Sequence, residues 1–399
     1  MVYSNFVKDK ASTLVLFGAT GDLSRKKIIP ALFELYLKEM LPKKWRALFF
    51  LRRSWTRKEF EDFILQSIGK SENARGFLKL LALFRGELEE KASFERLKKF
   101  LWEENKDASE KVFYLSIPPS YYTKVLESLR DAKLVSPKDK ILIEKPFGRS
   151  RKEAKELKNL LAKFTSERQV FFVDHYLAKD AIKEIRSAAL HPSHKIKKIE
   201  ARVIEESLVG ERGAYYDATG AFRDVGQNHL LQMIATGLSH LHKKEAVHDR
   251  RHAALQAIKF EKVEIIRGQY HGYRDEKGVA KESNTETYFK IRLQIQRENQ
   301  DIELVLEAGK GFGGSKSEAL IHFDNAQILR FDFNKSADGS LSPYAKILAT
   351  AFGHGRSVFV SANEIMEQWK IAERILASLQ SAPLEMYDKG TAHKPDLFE

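Results

Sequence analysis

Thr13-Leu-Val-Leu-Phe17 leads straight into Gly18-Ala-Thr-Gly21-Asp-Leu23, and Lys26–Met40 follows with Ile28, Ile29, Leu32, Leu35 and Tyr36 at helical spacing. The apolar run reads as a strand buried on both faces, and the periodic stretch reads as a helix. Pro30 is tolerable because it sits near the helix start, where a missing N–H costs little. Between them lies a turn with two glycines three residues apart. Glycines let a backbone turn tightly and approach a pyrophosphate, and the helix that follows offers free N–H groups and a positive dipole end. The pattern is GxxG rather than the full three-glycine fingerprint. Alone it is equally a tight strand-to-helix turn; its place after the first strand of an alternating series favours a dinucleotide turn.

Working outward, Ala47–Leu51, Val112–Ile117, Lys140–Glu144 and Gln169–Val173 are further apolar strand candidates. Helical patterns such as Tyr121–Ala132 and Arg151–Phe164 lie between them. Apolar strands alternating with helices predict a parallel sheet covered on both faces, an α/β Rossmann-type domain. After about residue 195 the period changes. In Thr287–Ile295, Phe289, Ile291, Leu293 and Ile295 point one way, and Tyr288, Lys290, Arg292 and Gln294 the other. Asp301–Glu307, Ala319–Phe323 and Ala326–Phe333 look similar, as strands wet on one side. Helical patterns precede them (Val225–Leu238, Lys244–Lys259) and follow them (Asn363–Leu379). The expected division is therefore residues 1–174, a Rossmann domain, and residues 175–399, an α+β domain with a large antiparallel sheet.

The 399 residues carry no cysteine, which removes disulfide frameworks, thiolate metal sites and cysteine nucleophiles together. Lys and Arg exceed Asp and Glu by 13, favouring anionic partners: nucleic acid, anionic lipid or a phosphorylated small molecule. The basic residues are spread along the chain with no aromatic–basic stacking motif, which argues against a nucleic-acid binder. The only apolar run near the N-terminus, Leu14–Phe17, is too short for a secretory signal, and no stretch approaches a membrane span. The expectation is a cytoplasmic protein with neither membrane nor nucleic-acid partner.

Candidate chemistry gathers at four places. Arg52 and Arg53 follow the strand ending at Leu51, where an NAD site places an acid; arginine there suits the 2′-phosphate of NADP, against a reading of two solvated arginines. Lys145, in Ile143-Glu-Lys-Pro-Phe-Gly148, stands at the carboxyl end of a strand, where ligands bind, against a reading of a surface turn residue before proline. His175 and Lys179, four residues apart after the fifth strand, would share a helical face able to hold a phosphate dianion, against a reading of a surface histidine and a solvated lysine. In Arg223-Asp224-Val-Gly-Gln227-Asn228-His229, Asp224 and Gln227 fit a helix-capping box with His229 as a core histidine. The same residues equally fit a polar cluster with His229 as general base. His240, His242, His248 and His252 have no accompanying carboxylate cluster and read as a solvated helix face, so no metal is expected.

Taken together, the motifs resemble the glucose-6-phosphate dehydrogenases. In order they are GATGDLSRKK at 18–27, RRS at 52–54, FYLSIPP at 113–119, IEKPFGR at 143–149, DHYLAK at 174–179, YYDATGAFRDVGQNHLLQM at 215–233 and AGK at 308–310. The resemblance implies oxidation of glucose 6-phosphate at C1 to 6-phosphoglucono-δ-lactone with hydride transfer to NADP⁺, the first step of the pentose phosphate pathway, by a homodimer. It makes His229 the base and Asp174 the carboxylate that orients and charges its imidazole. It gives His175, Tyr176 and Lys179 the sugar phosphate, and Glu205 and Asp224 the sugar hydroxyls. Lys145 bridges substrate and cofactor, and Lys310 closes the substrate side. Gly18, Thr20, Gly21, Asp22 and Leu23 form the dinucleotide turn, and Arg53 meets the 2′-phosphate. The chain departs from the pattern in being short in the second domain and in having Ala178 where glycine is usual. It also lacks the usual second basic residue in Gly311–Ser315 and the usual Ser-Trp-Gly-Pro ending in its tail. Another NADP-linked sugar oxidoreductase, of the glucose–fructose oxidoreductase-like type that shares the EKP segment, is the alternative.

Overall fold

Strand β1 (Ala11–Phe17) pairs in parallel with both β2 (Lys44–Leu51) and β4 (Glu110–Leu115), with Phe17 opposite Phe50 and Leu115. It is an interior strand of the first of two sheets. A computed structural model describes residues 11–104, 110–188, 195–239, 247–297, 300–353 and 355–393. The chain forms two compact units. One takes residues up to Gly148, Lys152–Ala178 and Gly339–Ala362; the other takes Arg149–Arg151, Lys179–Asp338 and residues from Asn363 on.

The first unit adds β3 (Leu81–Arg85), β5 (Lys140–Glu144), β6 (Val170–Val173) and β13 (Phe359–Val360) in the order β13-β6-β5-β4-β1-β2-β3. All pairs are parallel except β13 with β6. The order reverses between β1 and β4, the switch point where doubly wound sheets bind ligands outside the carboxyl ends of their strands. Leu14–Phe17 are fully buried, as strands covered on both faces should be. The helix Ile29–Leu37 is preceded by a wide turn, in which the Ile29 N–H reaches back five residues to Ser24 O. Pro30, which has no N–H to give, falls just after that turn.

The expected division at residue 174 differs from these units. Helix Pro343–Phe352 packs Ala345 and Leu348 into one core with Leu32 and Leu35, and Phe359 stands edge-on to Phe171 at 4.8 Å. A segment far along the chain thus completes the first unit. Strand β3 and the helices Arg57–Ile68, Glu72–Leu78 and Lys91–Glu104 also went unread.

The second unit holds β7 (Ile196–Ile204), β8 (Val263–Tyr270), β9 (Tyr288–Arg297), β10 (Gln300–Gly309), β11 (Lys316–Phe323), β12 (Ile328–Asp332) and β14 (Leu384–Tyr387), in the order β12-β11-β7-β10-β9-β8-β14. Most pairs are antiparallel; β7–β10 and β8–β14 are parallel. One face is apolar, with Phe289, Ile291, Leu293, Leu304, Leu306, Ala201 and Ile321 buried.

The opposite face is not the wet face that alternation suggests. Lys290, Glu307, Glu318 and Glu200 are buried there, and Arg202 lies 3.0 Å from Glu307, 3.5 Å from Glu318 and against Glu200. Buried charges persist only when paired, and here one guanidinium serves three carboxylates. Sequence alternation distinguishes polar from apolar but cannot tell a solvated charge from a paired one. The segment read as helix Lys244–Lys259 falls partly outside the described residues; its remainder forms helix Val247–Gln256. Among the described residues no helix is long and apolar enough to cross a membrane.

Candidate active site

In the first unit the candidate residues gather on one edge of the sheet. Gly18 follows β1, Arg52 and Arg53 follow β2, Lys145 follows β5 and Asp174 follows β6. Gly18 has φ +73°, and a Cβ on it would lie 1.9 Å from the Ser116 carbonyl beyond β4, so only glycine fits. The Gly21 N–H bonds Gly18 O at 3.0 Å, and the Ser24 hydroxyl bonds the same carbonyl at 2.9 Å. Thr20, Gly21 and Asp22 are exposed at the mouth of the following helix, with Leu23 half-buried behind them. Asp22 pairs with Lys26 at 3.2 Å, which tightens the first helical turn. A turn with glycine at positions 18 and 21, at the switch point and opening a helix, fits a dinucleotide pyrophosphate. Arg53 is exposed on the neighbouring strand's end.

Beneath Lys145 sits a group that the sequence reading missed. Glu144 is buried; its Oε1 accepts from Tyr114 at 2.6 Å, and its backbone carbonyl accepts from Tyr122 at 2.6 Å. Burial, with the Asp174 carboxylate nearby, pushes the Glu144 pKa up to about 7, against the Tyr114 hydrogen bond and the Lys145 charge. Tyr344, from the segment that returns to this unit, also bonds Glu144.

Asp174 is 1% exposed, and its Oδ1 accepts the Tyr176 N–H at 3.0 Å. The Leu177 N–H then closes on Asp174 O at 3.0 Å, and His175–Ala178 becomes a tight 3₁₀ turn. The chain bends at Lys179 before helix Asp180–Ala188 begins. His175 and Lys179 are therefore not on one α-helical face as their spacing suggests. A carboxylate capture of a nearby N–H outcompetes continuous helix here. The His175 ring stacks on Tyr344 at 6.0 Å.

In the second unit the helix that carries His229 is unusual. Helix Gly213–Ala221 breaks at Gly220 (φ +74°), and Phe222–Leu230 follows as a wide π-helical segment before α-helix Leu231–Leu238. The expected capping box is absent: Ala221 precedes the segment without a side-chain cap. Its first N–H, from Phe222, is taken at 3.0 Å by the buried Glu286 instead. Burial raises the Glu286 pKa, and the Phe222 N–H bond opposes this.

Asn228 fills the widened ladder. Its Nδ2 donates to the carbonyls of Arg223 (3.1 Å) and Asp224 (3.0 Å), and its Oδ1 accepts the His229 N–H at 2.7 Å. Gly226 is required because a Cβ would lie 2.5 Å from Phe222 and 2.8 Å from Phe289. His229 is 3% exposed on this segment. A π-bulge turns following side chains to a new direction, and such bulges are frequent at functional sites.

The parallel pair β7–β10 brings two more candidates together. Ile204 lies opposite Gly309, so Glu205 and Lys310 leave the same sheet end and pair with each other. The Lys310 ammonium stands 5.8 Å from the Tyr216 ring centre. Burial raises the Tyr216 pKa, and Asp224, Glu286 and Glu205 add to the rise, so a neutral hydroxyl sits among these carboxylates. Tyr216 lies inside the YYDATG segment but stood unremarked there, since tyrosine without a partner in sequence gives no signal. Of the four histidines weighed for metal, His240, His242 and the His248 side chain lie outside the described residues; His252 is half-buried on helix Val247–Gln256.

Two family models match: "Glucose-6-phosphate dehydrogenase, NAD binding domain" over residues 15–184 and "Glucose-6-phosphate dehydrogenase, C-terminal domain" over residues 187–341. The chain is 30% identical over 414 residues to a glucose-6-phosphate 1-dehydrogenase of Helicobacter pylori, covering 95% of this chain and 96% of that one. It is 33% identical over 361 residues to the enzyme of that name from Borreliella burgdorferi, covering 82% and 74%. A solved glucose-6-phosphate dehydrogenase in complex with its substrate has the same fold, with a TM-score of 0.84 at 24% identity over 98% and 97% of the two chains.

Proposed function

This chain belongs to the glucose-6-phosphate dehydrogenase family, and from that premise we propose how its residues carry out the reaction. Membership selects the phosphorylated-sugar dehydrogenase over the glucose–fructose oxidoreductase-like alternative. The protein is an oxidoreductase that oxidises glucose 6-phosphate at C1 to the lactone, with a nicotinamide dinucleotide as the second substrate.

The bound nicotinamide supplies a two-electron acceptor for the C1 hydride. His229 takes the C1 hydroxyl proton as that hydride leaves, so the C1–O bond becomes the lactone carbonyl. A positioned base of this kind contributes about 10²–10⁴-fold. Asp174 is assigned, on the resemblance, to charge and orient that imidazole. Glu205 and Asp224 accept hydrogen bonds from sugar hydroxyls. Tyr216, kept neutral by burial and by its acidic neighbours, remains a donor among them. Lys310 closes the sugar side, and His175, Tyr176 and Lys179 take the phosphate.

On the cofactor side, Gly18, Thr20, Gly21, Asp22 and Leu23 cradle the pyrophosphate, Lys145 serves both ligands and Arg53 takes a 2′-phosphate. NADP⁺ is the proposed cofactor for that last reason. A homodimer in the cytoplasm completes the proposal, and light scattering reads the first of those directly.

The observation that carries this reading is the buried His229 on a widened helical segment, held there by Asn228 and Glu286 rather than by regular helix bonds. The test is absorbance of the reduced nicotinamide with glucose 6-phosphate plus NADP⁺ or NAD⁺, and with unphosphorylated glucose as control. Reduction is expected with the phosphate ester alone and faster with NADP⁺. Equal rates with unphosphorylated glucose would sink the assigned phosphate contacts.

A further inference from the structure

Both backbone groups of Lys310 are held from outside its own strand. Its N–H donates to Thr287 O at 3.0 Å, and its carbonyl accepts from the Tyr387 hydroxyl at 2.7 Å. Thr287 Oγ1 lies 2.8 Å from that same hydroxyl and accepts the Tyr270 N–H at 3.0 Å. The Thr287 hydroxyl therefore donates to Tyr387, and Tyr387 donates to Lys310, so every group in the chain is satisfied. Burial keeps Tyr387 protonated well past neutral pH.

The chain after Tyr387 then crosses the loop after Lys310. The Gly390 N–H bonds Gly311 O at 2.7 Å, and the Gly313 N–H bonds Thr391 O at 3.0 Å. The Phe312 ring stacks on Tyr387 at 5.0 Å. His393 Nε2 lies 2.8 Å from Glu307, on the strand that runs into Lys310. A Cβ on Gly313 would lie 2.6 Å from Gly390 O, so the loop is small where the tail lies on it.

We propose that Tyr387–His393 is a strap that fixes Lys310 over the sugar site, with Tyr387 as the positioning residue through which it acts. The inference rests on the reading of Lys310 as a sugar-binding residue. The contacts above tie the strap to Thr287, Glu307 and the Lys310 loop. The strap therefore sets affinity for the phosphorylated sugar and leaves proton removal alone.

The test measures kcat, both KM values and melting temperature for Lys310→Met, Tyr387→Phe, a chain ending at Tyr387, and the double variant Lys310→Met/Tyr387→Phe. Lys310→Met is expected to raise KM for glucose 6-phosphate about tenfold or more, as loss of a charged hydrogen bond should. Tyr387→Phe is expected to raise it about threefold to tenfold, with kcat within about twofold and the cofactor KM unchanged. The shortened chain should exceed Tyr387→Phe, and the double variant should be no worse than Lys310→Met alone.

If Lys310→Met raises KM while Tyr387→Phe and the shortened chain leave it unchanged, the strap is refuted and the Lys310 assignment stands. If Lys310→Met itself leaves KM unchanged, the Lys310 assignment fails and takes the strap with it. A lowered melting temperature with an unchanged KM in Tyr387→Phe would make the strap merely structural and overturn the proposal.

Discussion

The dinucleotide turn of the first unit is built of backbone; the helix of the second unit that carries His229 is built of side chains. Gly18 turns at positive φ against the Ser116 carbonyl, and the groups it offers are N–H donors of the chain itself. His229, by contrast, is aimed by an Asn228 amide inside a widened helix, a Glu286 carboxylate at its start and a glycine pressed against Phe222 and Phe289. On the proposed reading, the first arrangement binds a pyrophosphate and needs few particular side chains. The second is specific to one chemistry, because each buried polar group must find its partner or destabilise the fold. The contrast also separates two kinds of damage. Changing the dinucleotide turn should cost cofactor binding, and changing the His229 helix should cost turnover.

The sharpest way to break that comparison is His229→Asn, which should lower kcat by about 10²–10⁴-fold while both ligands still bind, read by steady-state kinetics and cofactor titration. Near-normal turnover would remove the base. Asp174→Asn should lose much of the same kcat, and Asp174→Asn/His229→Asn should be no slower than His229→Asn alone, since groups that act as one unit are not additive. Gly18→Ala should act on the other side, weakening the cofactor at least tenfold, an estimate of order 1.4 kcal/mol or more for a Cβ that has no room. A kcat loss with unchanged cofactor KM in that variant would erase the division of labour. Arg53→Ala is milder: it should raise KM for NADP⁺ about tenfold and leave NAD⁺ nearly alone, because only NADP⁺ carries the 2′-phosphate. Equal effects on the two cofactors would deny Arg53 that contact.

The same contrast explains what the sequence could disclose. A glycine turn between a strand and a helix is local, so Gly18, Gly21 and the strands β1, β2, β4, β5 and β6 were legible in their own few residues. Asp224, Gln227 and His229 were visible as a polar cluster, but two local readings competed, and the capping box lost because Glu286, 64 residues from Phe222, supplied the cap. Glu307 looked solvated because its partners, Arg202 and His393, are remote in sequence. The return of residues 339–362 to the first unit was hidden for the same reason: β13 is only two residues long. Periodicity reads local order; a cap, a buried pair or a returning segment is a long-range fact.

Glu144 sits where the two kinds of construction overlap, a side-chain network beneath the backbone edge of the first unit, and it allows the last and smallest effect on turnover to be separated from stability. Tyr114 on β4, Tyr344 on the helix Pro343–Phe352, Asp174 after β6 and Lys145 beside it all face its carboxyl. Burial lifts its folded pKa from the ordinary 4.5 to about 7. The folded chain therefore keeps a proton that the unfolded chain has released. Stability from this group is full below about pH 4.5, falls as pH rises towards 7, and is flat above that. Glu144→Gln keeps an acceptor for the Tyr114 hydroxyl but cannot titrate. Denaturant midpoints between pH 5 and 8 should therefore fall with pH in the parent chain and fall less in the variant, with kcat little changed. Parallel slopes would mean that the carboxyl is ionised in the folded state, and that Tyr114, Tyr344 and Lys145 stabilise the charge better than burial opposes it.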